Sequence, residues 1–224
     1  MSAQNPPETI TVIGGTGALG SGLARRWARA GYRIIIGSRD AERAAAAAGE
    51  MAEALDLDNI SGMANPEAAA AGDLVVLTVP FGHQEPTLTA IRDGLAGKIL
   101  VDATVPLVPP KVARVQLPEP GCAALRAQAL VGEDVLVVSA FQNVAADLVA
   151  TDQSLDCDVL VTGDKLAARE VVVELAQKAG MRAWHAGPLA NSAAAEALTS
   201  VLIFINRKHP DQHAGIRITG IGEH

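Results

Sequence analysis

Aromatic residues are scarce in this chain of 224 residues: Phe, Trp and Tyr together make up 3% of it. Hydrophobic residues nonetheless reach 49%, so Ala, Val, Leu and Ile must fill the interior. Ala-rich helices pack closely against strands, and the composition therefore favours an α/β protein. The only tyrosine, Tyr32, is not followed by the lysine of a Tyr-x-x-x-Lys proton-transfer pair, which excludes the short-chain dehydrogenases.

Cysteine is equally rare. Cys122 and Cys157 fit no metal-ligand spacing and are too few for a disulfide framework. The five histidines are scattered along the chain. We therefore expect two structural thiols and no metal site.

Positive charge is in deficit, because 25 acidic residues against 18 basic ones give a net charge of −7. An excess of negative charge disfavours binding to nucleic-acid phosphates. The opening residues, "MSAQNPPE", lack the basic start and apolar segment of a signal peptide, and no apolar run reaches the ~18 residues typical of a membrane span. These absences predict a cytoplasmic protein of small-molecule metabolism with no nucleic-acid or membrane partner.

Short β-branched runs alternate with longer Ala-, Leu- and charge-rich segments, the pattern of βαβ units with buried parallel strands. This order indicates a Rossmann-type doubly wound parallel sheet. Strands are predicted over Ile10–Ile13, Arg33–Ile36, Leu74–Val79, Ile99–Asp102, Leu136–Ser139 and Val159–Thr162. Helices are predicted over Ala18–Ala30, Ala41–Leu55, Pro66–Ala71, Pro86–Ala96 and Gly121–Leu130.

The pattern changes after about residue 145, so we predict a Rossmann domain over residues 1–147 and a smaller C-terminal α/β domain over 148–224. The second domain would hold a helix in "KLAAREVVVELAQKAG", a strand in "MRAWHAGP", and a tail, "HAGIRITGIGEH", that could return as a last short strand. Its helix in "NSAAAEALTSVLIFINRK" is apolar on nearly all sides. Either the protein itself or a second subunit must cover that helix, and we favour a homodimer.

Five prolines punctuate the segment from Thr104 to Gly121, "TVPLVPPKVARVQLPEPG". Proline fixes φ and lacks a backbone donor, so this segment is predicted to be a long loop after a strand. The Val and Leu residues between the prolines favour a packed loop that lines a site.

The stretch Gly15-Thr16-Gly17-Ala18-Leu19-Gly20 matches G-x-G-x-x-G, and it follows an apolar strand and opens a helix, as the dinucleotide-binding fingerprint requires. The first glycine allows the tight turn, the second lets the backbone approach a pyrophosphate, and the third lets helix and strand pack together. The free N–H groups at the start of the helix then face the anion. The alternative is a Gly-rich turn without a ligand.

The end of the second strand predicts which dinucleotide binds. NAD-binding proteins place an Asp or Glu there, whereas this chain reads "IIIGSRDAER", with Ser38 and Arg39 at that position and Arg43 one turn on. A hydroxyl and two guanidiniums would bind a 2′-phosphate that a carboxylate would repel, so we predict NADP. Asp40 suits a helix cap. The alternative is that both arginines are merely solvated.

The sequence offers few side chains suited to acid–base catalysis. The lysines look like surface or helix-end residues and no His–carboxylate pair is evident, so we assign no catalytic acid or base. This pattern fits a second substrate that is itself a redox cofactor, because hydride transfer between two rings needs positioning more than proton transfer.

Six motifs carry a family resemblance: "GGTGALGSGLARR", "GSRDAER", "ISGMANPEAAAAGDLVVLTVPFGH", "VSAFQNVAA", "CDVLVTGD" and "AGPLANSAAAEALTSVLIFINR". Along almost its whole length the chain resembles the 8-hydroxy-5-deazaflavin:NADP oxidoreductases, the NADPH-dependent reductases of the deazaflavin coenzyme F420. The first motif is common to many nucleotide-binding folds, and the last is far more specific. The resemblance implies an enzyme that moves a hydride between NADP(H) and F420.

The resemblance also implies roles for individual residues. The pyrophosphate would be lined by Thr16, Ala18 and Leu19, and the 2′-phosphate would be held by Ser38, Arg39 and Arg43. The nicotinamide would be bordered by Val79, Pro80, Phe81 and His83. The deazaflavin site would be formed by Pro106, Leu107, Val108, Gln142, Asn143, Val144, Ala145, Pro188, Leu189, Asn191 and Ser192.

The chain departs from this family at "FQNVAA", where relatives carry a His and a Pro. Gln142 or Asn143 would then replace an imidazole near the ring, and an amide can still hydrogen-bond a ring carbonyl or nitrogen. Two alternatives stay open. One is an NADPH-dependent reductase of another acceptor, such as free flavin, an imine or a chelated metal, and the other is a non-enzymatic NADP(H)-sensing protein.

Overall fold

The computed structural model describes residues 7–210 and 212–221. Over these residues strands and helices alternate, as the βαβ pattern predicts. The strands β1 to β8 span Thr9–Ile13, Arg33–Ser38, Ile60–Ala64, Leu74–Leu77, Ile99–Asp102, Leu136–Ser139, Asp158–Gly163 and Arg182–His185. The helices α1 to α8 span Ala18–Arg29, Ala41–Leu55, Asn65–Ala71, Gln84–Ile91, Ala123–Val131, Ala146–Val149, Leu166–Lys178 and Ser192–Asn206.

The eight strands of the described chain form one sheet in the order β3-β2-β1-β4-β5-β6-β7-β8. Strands β1 to β6 are parallel, β7 is antiparallel to β6, and β8 is parallel to β7. After β1 the chain builds outward through β2 and β3, and it then returns to place β4 on the other side of β1. This reversal leaves a crevice at the carboxyl ends of β1 and β4, where open α/β sheets bind their ligands.

Apolar side chains cover both faces of the sheet. On one face Trp27 of α1 and Phe141 meet edge to face, with ring centroids 5.9 Å apart. The Trp27 indole N–H donates to the Leu175 carbonyl at 2.8 Å and so joins α1 to α7. With few aromatic side chains available, small residues bring helices close to strands, as the buried Ala44 and Ala48 of α2 illustrate.

Strand β3 is one that the sequence pattern did not predict. Its sequence, ISGMA, mixes small and polar residues with apolar ones, which are only partly buried at the edge of the sheet. An edge strand therefore lacks the continuous apolar run of the central strands. Several predicted bounds also differ by one or two residues, as where β4 ends at Leu77 rather than Val79. The helix expected over Pro86–Ala96 is α4 followed by a 3₁₀ turn at Arg92–Leu95.

Residues beyond 147 extend the same sheet and pack against the first half of the chain. Arg26 of α1 joins the two parts, because its guanidinium donates to the carbonyls of Val149 at 2.9 Å, Ala179 at 2.9 Å and Thr151 at 2.6 Å. The sheet is thus continuous across residue 147, and a division into two domains at that point stays a prediction.

Two irregular segments complete the fold. The Pro-rich segment is a loop without helix or strand from residue 103 to 122, as predicted. The tail is not a strand over residues 212–221, and residues 222–224 lie outside the described part. The tail instead attaches to the start of β7, where Asp158 donates its N–H to the Ile216 carbonyl at 2.8 Å and accepts the Ile218 N–H at 2.7 Å.

Helix α8 has its polar side chains inside. Its buried residues include Ser192, Glu196 and Ser200, whereas Val201 is 43% and Phe204 57% exposed. The apolar character that the sequence shows therefore belongs mainly to the outer face of the helix. By length and composition alone, the stretch Leu189–Asn206 could cross a membrane, which for one helix is weak evidence.

Candidate dinucleotide-binding site

The Gly-rich turn between β1 and α1 forms the base of the crevice. Gly14 has a φ of +80°, a conformation that side-chain-bearing residues rarely adopt, and Gly17 donates its N–H to the Gly14 carbonyl at 2.9 Å. Helix α1 then begins at Ala18 without a side-chain cap. The backbone N–H groups of Ala18, Leu19 and Gly20 have no partner within the helix and are suited to an anion.

The roles of the glycines in this turn differ in part from those predicted. The left-handed residue is Gly14, one position before the motif, whereas Gly15, to which the motif assigns the turn, lies outside that conformation and packs against Ile36. Gly20 has the predicted packing role, since a Cβ there would lie 2.5 Å from the Thr78 hydroxyl and 2.7 Å from the Gly14 carbonyl. Helix α1 reaches the end of β4 only without a side chain at that position.

A cleft of about 290 Å³ opens over this turn. Its walls come from the turn, from the ends of β2 and β4, and from the first turns of α3 and α4. It is lined by Gly14, Thr16, Gly17, Ser38, Arg39, Asp40, Arg43, Asn65, Thr78, Val79, Pro80, His83 and Thr87. The predicted cofactor residues that it brings together are Thr16, Gly17, Ser38, Arg39, Arg43, Val79, Pro80 and His83.

Two arginines without an ion-pair partner lie at one end of the cleft. Arg39 and Arg43 are exposed, and within residues 7–210 and 212–221 neither forms an ion pair. Asp40 between them is a helix cap, because its Oδ1 accepts the N–H groups of Glu42 at 2.9 Å and Arg43 at 3.2 Å. The predicted cap is thus confirmed, and the two guanidiniums and the Ser38 hydroxyl are suited to a phosphate.

The other end of the cleft lies where β4 ends. Val79 is half-buried there, and Pro80 and His83 are exposed. Phe81 does not line the cleft and instead packs under Arg126, whose guanidinium carbon lies 5.2 Å from the ring centroid. The His83 side chain makes no capping bond to α4, so helix capping does not account for its position.

A buried polar network lies beside the cleft, at the end of β5. Asp102 accepts the Gln84 side-chain N–H at 2.7 Å on Oδ2 and the Thr104 backbone N–H at 2.9 Å on Oδ1. Burial raises the pKa of the Asp102 carboxyl above its usual value, although the hydrogen bonds from Thr104 and Gln84 oppose this. These bonds tie the start of α4 to the start of the Pro-rich loop.

A second buried carboxyl joins α8 to this network. Glu196 accepts the backbone N–H of Ala123 at 2.7 Å and that of Ala124 at 3.1 Å, so a side chain of α8 caps α5. Burial raises the pKa of Glu196 to about 7, against the hydrogen bonds from Ala123, Ser192 and Ala124. The Ser192 hydroxyl also contacts the Ser139 hydroxyl at the end of β6.

The network holds Gln142 in one orientation. Its Nε2 donates to the Ser139 hydroxyl at 2.7 Å and to the Asp102 carbonyl at 2.9 Å. Both amide hydrogens are therefore used inside the protein, and Oε1 remains to accept a hydrogen bond. The preceding residue, Phe141, has a φ of +74°, a strained conformation for a bulky residue that is typical of functional segments.

Other predicted deazaflavin residues have structural partners. Asn143 docks α8, because its Nδ2 donates to the Ala195 carbonyl at 2.8 Å and to the Thr199 hydroxyl at 3.3 Å. Leu189 and Ser192 are completely buried and have no surface to offer a ring, contrary to the implied role. Pro106 is buried as well, and none of the predicted deazaflavin residues lines the cleft. Partial or full exposure is found for Leu107, Val108, Val144, Ala145, Pro188 and Asn191.

Sequence reasoning missed Asn65, Thr78 and Thr87, which line the cleft. Asn65 lies in an Asn-Pro pair at the start of α3, and such a pair after a strand is a signal for a helix start near a strand end. Glu196 was also missed. A lone acidic residue within the apolar run of α8 is a signal for a buried, paired carboxyl.

A doubly wound sheet with a Gly-rich turn at its switch point and unpaired arginines beyond β2 defines a dinucleotide-binding protein of the Rossmann type. The family described as "NADP oxidoreductase coenzyme F420-dependent" matches residues 9–106. The chain is 45% identical over 222 residues to the F420-dependent NADP reductase of Methanothermobacter thermautotrophicus, covering 96% of each chain. It is 40% identical over 221 residues to that of Methanocaldococcus jannaschii, covering 95% of this chain and 98% of the other. The chain belongs to the F420-dependent NADP reductases, as the resemblance indicates.

Solved structures support the fold. A hypothetical protein from Sinorhizobium meliloti superposes with a TM-score of 0.68 at 24% identity, covering 83% of this chain and 86% of that one. At this identity the likeness concerns the fold alone. The predicted α/β class with a Rossmann-type sheet is confirmed.

Proposed function

We propose that the protein transfers a hydride between NADP(H) and coenzyme F420, with NADP in the cleft over the Gly-rich turn. The observation that carries this placement is the pair of unpaired guanidiniums, Arg39 and Arg43, at one end of the cleft. Family membership supports the two cofactors. The 2′-phosphate lies at these arginines, the pyrophosphate lies at the start of α1, and the nicotinamide lies at the end of β4.

The cleft fits NADP chemically. Gly17 is exposed, and a Cβ there would meet only the Gly14 carbonyl, at 3.3 Å, so the surface of the turn is open to a pyrophosphate. The first N–H groups of α1 provide donors for it. Arg39 and Arg43 provide the planar, doubly donating groups that bind a phosphate.

The reaction asks for positioning rather than acid–base chemistry. NADPH supplies the hydride and F420 accepts it, and the protein holds the two rings together in a site without bulk water. The buried carboxyls Asp102 and Glu196 bind backbone N–H groups and thereby maintain the walls of the site. His83 and Gln142 are the polar side chains that border the space between the cofactors.

We place the deazaflavin beside the nicotinamide end of the cleft, on the ends of β5 and β6. In the sheet Leu77 pairs with Asp102, and Asp102 pairs with Ser139, so the segments that follow β4, β5 and β6 leave the sheet at one level. Gln142 Oε1 accepts a hydrogen bond from an N–H of the ring system. The remaining surface is provided by Leu107, Val108, Val144, Ala145, Pro188 and Asn191.

We further propose that the protein is a cytoplasmic homodimer. Val201, Phe204 and Ile205 share one face of α8 and are 43%, 57% and 40% exposed. A second copy of the chain covers this apolar face. The acidic composition and the two cofactors fit the cytoplasm.

A coupled assay tests the proposed reaction. Purified protein is mixed with NADPH and oxidised F420, and the absorbance of each compound is followed. We expect the two compounds to be consumed together in equimolar amounts. Parallel reactions contain a free flavin, a cyclic imine or a chelated ferric ion in place of F420. No turnover of F420 where the reductase of Methanothermobacter thermautotrophicus works would contradict the proposal, and turnover of another acceptor instead would favour that alternative.

A further inference from the structure

Asn65 places a buried carboxamide in the wall of the cleft. It is the first residue of α3 and is 6% exposed. It lines the cleft together with Ser38 and Arg39. Helix α3 begins without a side-chain cap, so capping does not explain the amide at this position.

The Oδ1 atom of Asn65 has no hydrogen-bond partner within the part of the chain that the structure describes. A buried acceptor without a partner is unfavourable, because the hydrogen bond to water that it loses is not replaced. Other described residues also have a buried side-chain atom without a hydrogen-bond partner, but none of these residues lines the cleft: Arg25, Asn59, Gln84, Thr104, Thr162 and Arg169. Oδ1 itself is closed to solvent, so a donor from a molecule bound in the cleft would satisfy it after a turn of the Asn65 side chain toward the cleft.

The strand register places this atom beside the arginine end of the cleft. Ser38 of β2 pairs with Ala64 of β3, so Asn65 leaves β3 at the level where Arg39 leaves β2. Oδ1 also lies against Gly37, where a Cβ would be 3.1 Å from it. The atom is therefore next to the segment that holds the 2′-phosphate.

We propose that Asn65 binds the adenosine ribose of NADP by accepting a hydrogen bond from the sugar hydroxyl next to the 2′-phosphate. This inference rests on the proposed placement of NADP in the cleft. A hydroxyl donates to Oδ1 and supplies the missing partner. A neutral amide suits the position, because a second carboxylate besides Asp40 would add to the repulsion of the phosphate that Arg39 and Arg43 attract.

Three variants of the full-length protein test the proposal: Asn65→Ala, Asn65→Asp and the matched control Asn59→Ala. Asn59 also has an unpartnered Oδ1, but its Nδ2 donates to the carbonyls of Ala28 at 2.9 Å and Tyr32 at 2.8 Å, outside the cleft. Calorimetry measures the Kd of NADP⁺, NAD⁺ and 2′,5′-ADP. Asn65→Ala should raise the Kd of NADP⁺ and of 2′,5′-ADP by about tenfold. Asn65→Asp should raise the Kd of NADP⁺ more than that of NAD⁺. Asn59→Ala should leave all of these Kd values unchanged.

Thermal unfolding without ligand separates binding from a structural role. Removal of an unpartnered buried acceptor does not weaken the fold, so Asn65→Ala should melt at or above the wild-type temperature. Asn59→Ala should melt lower, because it loses two hydrogen bonds. A lower Tm for Asn65→Ala with an unchanged Kd for NADP⁺ overturns the proposal.

Two further comparisons complete the test. The hypoxanthine analogue of NADP⁺ lacks the adenine amino group, and a loss of affinity in Asn65→Ala that disappears with this analogue assigns the contact to the base and overturns the sugar contact. Arg39→Ala tests the placement of NADP itself. If Arg39→Ala weakens the binding of NADP⁺ and Asn65→Ala does not, only the proposed role of Asn65 is wrong. If neither variant weakens the binding of NADP⁺, the proposed placement of NADP in the cleft is wrong too.

Discussion

The substitution Glu196→Gln tests whether burial or hydrogen bonding controls the carboxyl that caps α5. Glu196 accepts the backbone N–H groups of Ala123 and Ala124 and the Ser192 hydroxyl. Three donors favour the ionised form, whereas removal from water favours the neutral form. Burial dominates and raises the pKa of Glu196 to about 7.

The size of the effect follows from the pKa of this carboxyl in the two states, 4.5 when unfolded and about 7 when folded. At a pH between these two pKa values, Glu196 has released its proton in the unfolded chain and retains it in the folded protein. The contribution of Glu196 to stability is therefore greatest below the lower value, falls as the pH rises through this window, and is level above it. Between pH 5 and pH 8 it lowers the free energy of unfolding by about 2.5 kcal/mol.

Urea unfolding of the wild type and Glu196→Gln at pH 5 and pH 8 measures this effect. The variant should be less stable than the wild type at pH 5 and should recover about 2.5 kcal/mol of that difference at pH 8, since glutamine does not ionise. Glu67→Gln, at an exposed position on α3, controls for the loss of a surface carboxylate. Equal differences at both pH values would refute the effect of burial, and the opposite trend would mean that the three hydrogen bonds outweigh it.

Three other substitutions test the cofactor site and the outer face of α8. Arg39→Ala should raise the KM for NADPH by roughly 10- to 100-fold and leave that for NADH nearly unchanged, because the lost contact is to the 2′-phosphate; Arg33→Ala at the other end of β2 is the control, and equal effects on both cofactors would contradict the NADP assignment. Gly20→Ala should lower both the Tm and the affinity for NADP⁺, since its Cβ would lie 2.5 Å from the Thr78 hydroxyl; an unchanged Tm would mean that α1 has room to move. Phe204→Glu should convert a dimer to a monomer in sedimentation while the circular dichroism spectrum is retained; a wild type that sediments as a monomer would remove the basis for the dimer.

The central strands could be predicted because each of them is marked by an apolar run within one short segment. Strands β5 and β6 carry apolar runs that are buried on both faces, and their predicted bounds are those of the structure. The edge strand β3 is partly exposed and holds Ser61 and Gly62, so its sequence gives no such run. Missing β3 also concealed Asn65, whose place beside the cleft depends on the strand before it.

The two halves of the site differ in the same way. The proposed NADP half could be predicted because contiguous segments, the Gly-rich turn and "GSRDAER", carry it. The proposed deazaflavin half depends on which side chains of distant segments are left exposed, and burial is set by packing that no single segment reveals. Leu189 and Ser192 illustrate this, because both lie in a suggestive motif and both are buried against other elements.

The first N–H groups of α5 receive their cap from a side chain 73 residues further along the chain. During synthesis on the ribosome, α5 therefore exists for some time without the group that satisfies its beginning. Strands β1 to β6 all precede α8 in the chain, and the N–H groups of Ala123 and Ala124 gain their acceptor only when Glu196 is present. The start of α5 is thus completed only after every segment that lines the cleft has been made.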